Sequence, residues 1–248
     1  MLDKIERSWD KSSEGYDYLI QKQLGSYKTV TSWSNILEKL LGKKPKRVLE
    51  IGCGPGFMSI ITSRLGHSVK AVDGSEGMLE TARHNFEVNG CDVDTQLEDA
   101  VLLPDEKEES YDAIISRDVV WNLYDPEKAL ARWKELLKPG GKVIYFDGDY
   151  RYSFNNKRPV WKWFSKTIQK FIYRDEPQRE ENTEEENNVF LQLKLIRKER
   201  PKEDRDMLIK TGFSKIRIIP DKFRNSPLSR DFWTYGYQGK KFIAIAWK

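Results

Sequence analysis

Apolar residues along the chain come in two alternating rhythms, and the alternation itself suggests the architecture. Short runs bounded by polar or glycine-rich punctuation predict strands at Arg47–Ile51, Ser68–Asp73, Asp92–Leu97, Tyr111–Arg117 and Lys142–Phe146. Between them the spacing turns helical over Phe57–Leu65, Met78–Val88 and the stretch opened by Asp125-Pro126 and stopped by Pro139-Gly140-Gly141. Strand alternating with helix is the pattern of a parallel sheet covered on both faces. Before the first strand, residues 1–42 read as a helical preface, with Ile5, Trp9, Tyr16, Ile20, Trp33 and Leu37 among its apolar positions. After the fifth strand, Trp161 to Tyr173 is aromatic and helical, and Arg174 to Asn188 is rich in Glu and Asn and reads as exposed. The run Val189–Leu193 returns toward the body. A helix over Lys202–Thr211, a strand over Phe213–Ile219 and a last strand over Lys241–Trp247 close the chain. The expected division is an N-terminal segment 1–42, a core 43–149, an inserted cap 150–201 and a C-terminal part 202–248.

At 248 residues the chain suits one α/β core with an additional subdomain. Its 43 Lys and Arg against 39 Asp and Glu are interleaved through most of the sequence, which does not describe a nucleic-acid surface. No stretch approaches a membrane span, and Met1 to Arg7 has no apolar signal core, so a cytoplasmic protein without membrane partner is expected. Cys53 and Cys91 have neither metal nor disulfide spacing, His67 and His84 read as surface residues, and the acidic loop Asp105–Glu109 reads as solvated.

The chemistry is concentrated at the first strand-to-helix turn, Glu50-Ile51-Gly52-Cys53-Gly54-Pro55-Gly56-Phe57. Glycines there admit positive φ and let a ligand lie against the backbone. A dinucleotide fingerprint would place Gly or Ala where Phe57 stands, and Glu50 suits an ammonium group better than a pyrophosphate. Cys53 at the turn could be read as a nucleophile, but a small residue is what fits there. At the end of the second strand, Asp73 offers two acceptor oxygens of the kind that take ribose hydroxyls.

The string E-I-G-C-G-P-G resembles the first motif of the class I S-adenosylmethionine (SAM)-dependent methyltransferases, and V-D-G-S-E-G-M-L-E-T-A-R resembles their second. Glu98-Asp99-Ala100 is similar to their adenine-binding element. D-P-E-K-A-L through K-P-G-G-K-V-I-Y-F-D resembles the stretch between the fourth and fifth strands in the ubiquinone/menaquinone-type, small-molecule branch, so the likeness runs over residues 46–149. The resemblance implies a Rossmann-like seven-stranded sheet with helices on both faces and a final antiparallel hairpin. It implies SAM as cofactor, S-adenosylhomocysteine as product and a small-molecule acceptor. Glu50, Gly52, Cys53, Gly54, Gly56, Ser116 and Arg117 are then expected at the methionine end, Asp73 and Gly74 at the ribose, and Met78, Glu98, Asp99 and Ala100 at the adenine. Tyr16 and Tyr18, in a segment resembling the family's W-x-x-x-A-x-x-Y-D lid, are expected to cover the cofactor.

Catalytic candidates are Asp118 and Tyr150, and substrate candidates are Trp121, Asp147 and the cap's Trp161. Asp118, Asp147 and Asp149 also raise a Mg²⁺ reading by similarity to catechol-type enzymes, though the surrounding residues resemble the metal-free group. No D/N-P-P-Y/F or Pro-Cys element of the DNA methyltransferases follows the fourth strand. Two other classes stay open: a SAM-binding protein without catalysis, and an enzyme acting on RNA or protein.

Overall fold

The computed structural model describes residues 1–151, 158–174 and 183–248. A seven-stranded sheet organises it: β1 (Arg47–Ile51), β2 (Ser68–Asp73), β3 (Val93–Leu97), β4 (Tyr111–Arg117), β5 (Leu137–Gly148), β6 (Ser214–Pro220) and β7 (Lys241–Trp247). The spatial order is β3-β2-β1-β4-β5-β7-β6. The first five strands run parallel, and β7 is antiparallel to both β5 and β6. Rossmann-like topology of this kind has one switch point, between β1 and β4, where crossovers leave on opposite faces and a crevice opens beyond the strand ends.

Alternation along the strands feeds two cores. Ala113, Ile115, Ile144 and Phe146 face α2 (Ser13–Leu24), α3 (Tyr27–Leu41) and α4 (Phe57–Arg64), which contribute Ile20, Trp33, Leu37, Phe57 and Ile61. Ile114, Val143 and Tyr145 point the other way, onto α6 (Pro126–Leu136) and α9 (Lys202–Lys210) with Leu130, Trp133, Met207 and Leu208. Trp33 is fully buried, with edge contacts to Phe57, Phe146 and Phe223. A third cluster seats α5 (Glu76–Val88) through Leu79, Ala82 and Phe86.

The remaining helices are α1 (Leu2–Asp10), α7 (Pro159–Ile172), α8 (Glu184–Leu191) and α10 (Arg230–Tyr235). Helix α1 lies over the crevice and is covered from outside by α8, where Ile5 joins Val189, Phe190 and Leu193. Serine caps start α3 and α5, through Ser26 and Ser75, and Asp125 caps α6 ahead of Pro126.

Several expectations change. Strand β5 begins at Leu137, which pairs with Tyr111 ahead of a register shift before the ladder resumes at Lys142 opposite Ala113. His67 is buried rather than on the surface, with both ring nitrogens lacking a partner, and burial lowers its pKa. The loop Asp105–Glu109 is not merely solvated: Glu106 is buried, accepts a hydrogen bond from the Tyr111 hydroxyl and pairs with Lys70 at 2.5 Å. Of the expected exposed run Arg174–Asn188, residues 175–182 lie outside the described residues.

Candidate active site

The crevice at the switch point is a cavity floored by the turn after β1 and roofed by α1 and α2. Gly52, Gly54 and Gly56 have φ of 69°, 51° and 90°, in the left-handed region that side chains avoid. A Cβ on Gly52 would stand 2.3 Å from Val119 Cγ2, and one on Gly56 would stand 2.4 Å from Phe86 Cε1. Above Gly54 the space is open, with only Met78 Sδ at 4.0 Å. The turn's own amides point inward: Gly52 and Cys53 donate to the Val72 carbonyl at 2.8 and 3.1 Å, and Gly54 donates to Asp73 Oδ2 at 2.8 Å. These bonds hold the turn rigid, and the side chains along the wall are left to meet a ligand.

The charged side chains among them are mostly acidic. Glu50, Asp73, Asp99 and Glu6 line the cavity, with Arg117 as the guanidinium among them. Glu50 is almost completely buried and accepts the Ser59 hydroxyl; burial pushes its carboxyl up to about 8, with Ser59 and Arg117 pulling in the opposite direction. Asp73 is likewise raised by burial, to about 6, although Gly54 and Ser75 amides hold its two oxygens. Asp99 accepts the Val101 amide at 2.8 Å and the Tyr124 hydroxyl at 2.6 Å. Arg117 lies over the Trp33 and Phe57 rings and donates to Gln23.

Acceptors in this number suit a ligand that carries cationic groups, hydroxyls and an amine, with one anionic group for Arg117. A pyrophosphate would face four carboxyl groups. The donor set therefore fits an aminoacyl nucleoside with a positive charge better than a dinucleotide.

The sequence-predicted residues separate into two groups. Tyr16, Glu50, Gly52, Cys53, Gly54, Asp73, Gly74, Met78, Asp99, Ala100, Arg117 and Asp118 all reach the cavity. The others stand behind it or elsewhere. Gly56 gives the helix its close approach to Phe86, and the Ser116 hydroxyl donates to Ile51 O at 2.8 Å. Glu98 turns from the cavity toward Asp105 and Glu106. Tyr18 makes an edge contact with Tyr173 instead of covering the floor. Trp121 stacks on Phe190 and leans on Tyr150, outside the wall. Trp161 packs on Phe232 and Gly236, among the C-terminal elements.

Asp118 and Tyr150 are brought together, but not as a proton acceptor. Tyr150 donates to Asp118 Oδ1 at 2.6 Å, and Arg224 Nη1 reaches both oxygens at 2.8 and 2.9 Å. Arg224 and Lys241 hold the Asp118 carboxyl far below the usual carboxylate range despite its burial, while burial and Asp118 raise the Tyr150 phenol well above its own. An ionised acid and a protonated phenol locked in one bond form a brace. Asp147 forms a second brace. It is fully buried, bonded to Arg200 at 3.0 Å and to the Trp121 amide at 3.0 Å, and Arg200 also holds Asp204 at 2.6 Å. Asp149 binds Arg151 at 2.6 Å. The three carboxylates of the Mg²⁺ reading thus go to three separate guanidinium groups.

Sequence reasoning expected a lid with Tyr16 in it but missed the share of α1 in the roof and the roof's fastenings. Leu2, Ile5, Glu6 and Trp9 line the cavity from α1, and Asn122 and Tyr124 from the loop after β4. Asp10 Oδ1 accepts Ser75 Oγ at 2.5 Å and the Gly77 amide at 3.2 Å, so α1 is fixed to the start of α5. Asn85 donates to Asp17 and to the Pro55 carbonyl, tying α2 to the glycine turn. An acidic residue near the start of a chain carries no visible signal of this kind.

Residues 49–145 match the sequence pattern of the methyltransferase domain family. Over that segment the chain is similar to a methyltransferase domain. Among curated relatives, the ubiquinone biosynthesis O-methyltransferase of Dinoroseobacter shibae is 38% identical over 101 residues, which is 41% of this chain and 40% of that protein. The chain spans between 39% and 46% of the length of such relatives. Over the whole fold, a SAM-dependent methyltransferase from Thermotoga maritima superposes with a TM-score of 0.61 at 22% identity, covering 98% of this chain and 99% of that one. The [4+2]-cyclase SpnF superposes with a TM-score of 0.66 at 13% identity, covering 98% and 94%. The part of the methyltransferase domain matched by sequence ends inside β5, so it holds the cavity floor and leaves α1, α2 and everything beyond β5 to the fold comparison alone.

Proposed function

We propose that the protein is a SAM-dependent methyltransferase acting on a small-molecule acceptor. The observation that carries this reading is the acid-lined cavity over the glycine turn, where Glu50 and Arg117 stand at one end and Asp73 and Asp99 at the other. A bound SAM supplies a sulfonium-activated methyl group, so the chain's task is placement.

Glu50 takes the ammonium group and Arg117 the neighbouring carboxylate. Asp73 keeps its backbone bonds and accepts ribose hydroxyls on its remaining lone pairs, and Asp99 accepts the adenine amine. Met78 and Val101 hold the base between them. Trp9, Tyr16 and Ile20 close the roof and exclude water, which strengthens each of these contacts. The acceptor enters beside Val119, Asn122 and Leu123. No imidazole lines this wall. Asp118 and Tyr150 act through shape: their bond with Arg224 fixes the loop after β4, where Asp118 itself has a positive φ of 58°. An acceptor whose nucleophile already has a free lone pair, such as an amine or an ionised phenol, suits this arrangement.

A second reading, a SAM-binding protein with a different activity or none, is favoured by the cyclase that shares the fold. Calorimetric titration with SAM, followed by measurement of S-adenosylhomocysteine over a panel of amine, phenol and thiol acceptors, separates the two. Binding with turnover supports methyl transfer. Binding without turnover on any acceptor supports the second reading, and no binding sinks both.

A further inference from the structure

Helix α7 divides lengthwise into three stripes. Trp161, Ser165, Ile168 and Ile172, at spacings of four, three and four, face the body, where Trp161 meets Phe232. Val160, Phe164 and Phe171 form a stripe that faces solvent, with Trp163 at its edge, and Trp163 and Phe171 are 70% and 83% exposed. Lys162, Lys166 and Lys170, four residues apart, flank that stripe. From Arg158 to Arg174 every charged residue is basic. None of the three lysines has a carboxylate within ion-pair distance among the described residues.

The patch continues onto the neighbouring helix. Phe164 makes an edge contact with Trp233 of α10 at 6.1 Å, and exposed Leu228 and Arg230 lie just before it. Exposed aromatic residues in one contiguous area mark an interaction surface. Aromatic side chains on one stripe and lysines beside it are the makeup of a helix that lies in the plane of a bilayer interface, its rings at headgroup depth and its ammonium groups among phosphates.

We propose that the α7/α10 face docks the protein onto an anionic lipid bilayer surface. Charge complementarity selects this occupant over a second copy of the chain, whose equivalent face would bring lysines against lysines. Glu185, in α8, is paired with Lys4 of α1, on the cavity's roof, and α7 packs instead on α10 and the turn after it. The face has a route to the site as well: Tyr173, just past α7, contacts Tyr18 of α2, whose Tyr16 and Ile20 line the cavity. This proposal is independent of which reaction the cavity supports.

The test is sedimentation of the full chain with vesicles of phosphatidylcholine alone and of phosphatidylcholine with 30% phosphatidylglycerol. Binding is expected to the second only, and to weaken at high salt. Near an anionic surface each lysine contributes about 1 kcal/mol, or roughly fivefold in partitioning, so Lys162→Gln with Lys166→Gln and Lys170→Gln is expected to weaken it about a hundredfold. Trp163→Ser with Phe171→Ser is expected to abolish what remains in high salt. Both sets are on the surface, and unchanged far-ultraviolet circular dichroism verifies the fold. The proposal is overturned by absence of binding to either vesicle, by equal binding to both, or by variants that bind like wild type. It is also overturned by a solution dimer that Trp163→Ser with Phe171→Ser dissociates while vesicle binding is unaffected.

Discussion

Glu50→Gln should make the ligand-free protein more resistant to alkali. The Glu50 carboxyl is pushed up to about 8 by burial, from 4.5 in an unfolded chain. Its folded value is the higher one, so the native state holds a proton that the unfolded state has released across the window between them. Stability then falls as pH rises through that window and levels off above about 8, where the fold carries a buried charge. Between pH 6 and pH 9 the loss from this group is about 2–3 kcal/mol, taking roughly 1.4 kcal/mol per pH unit while the two states differ. In a domain of this size that corresponds to about 5–10 °C in Tm. Asp73, Glu98 and Asp147 have raised values for the same reason, so the wild type declines with pH through several groups at once. The difference between wild type and variant isolates Glu50.

The assay is thermal unfolding without ligand from pH 6 to pH 9. Glutamine can still accept the Ser59 hydroxyl, so the packing is kept while the titration is removed. The two curves should converge toward pH 6 and separate in the variant's favour toward pH 9. Parallel curves would refute the claim that Glu50 is a buried neutral acid. The proposed ammonium contact adds a second readout. A cation beside Glu50 lowers its pKa, so SAM binding should release a proton near pH 7, measurable by calorimetry in buffers of different ionisation enthalpy, and the variant should not release it.

Asp73→Asn leaves one acceptor for two backbone amides and removes the charge facing the proposed ribose, and should weaken SAM binding by at least tenfold in titration calorimetry at about 1.5–3 kcal/mol per charged hydrogen bond. Gly52→Ala should abolish binding or folding, because the added carbon would stand 2.3 Å from Val119 at a φ of 69°; a variant with normal Tm and affinity would contradict the close-approach argument. Asp147→Asn leaves Arg200 paired with Asp204 alone and weakens one charge-assisted bond, and should destabilise the fold by about 1.5–3 kcal/mol in denaturant titration, with SAM affinity at permissive temperature near wild type. Asp118→Asn should lower Tm but leave the pH profile of any turnover in place, whereas a lost low-pH limb would restore Asp118 as a proton acceptor.

The parts legible in advance are those where local backbone geometry and ligand contact fall on the same few residues. The glycine turn needs positive φ whatever it binds, and Asp73 closes a strand beside it, so periodicity plus turn chemistry located that part of the floor, while Asp99 was legible only through the likeness of Glu98-Asp99-Ala100 to a family's adenine-binding element. Glu98 shows the limit of that method. It adjoins Asp99, but successive residues of extended chain point opposite ways, and its side chain went to Glu106 and the buried side of the sheet. The bonds that hold Asp118, Tyr150 and Asp147 were not legible for a different reason. Their partners, Arg224 and Arg200, come from segments after β5 that no local pattern connects to the strand ends.

Those two arginines also explain how the floor and the variable part of the chain are joined. Arg200 precedes α9 and reaches Asp147 at the end of β5; Arg224 follows β6 and reaches Asp118 at the end of β4. Each guanidinium lies within the protein and is anchored by a second buried carboxylate, Asp204 for Arg200 and Asp221 for Arg224, so the tie to each strand end is held from inside the fold. Both adjacent strand ends of the acceptor side are therefore fixed by residues outside the segment matched by sequence, 49–145. A chain of this design can keep its cofactor floor constant while the elements after β5 set the position of the loop at Asp118–Leu123, and with it the shape of the acceptor's entry. Exchanging the proposed acceptor preference should then depend more on residues around Arg200, Arg224 and the α1 roof than on the glycine turn.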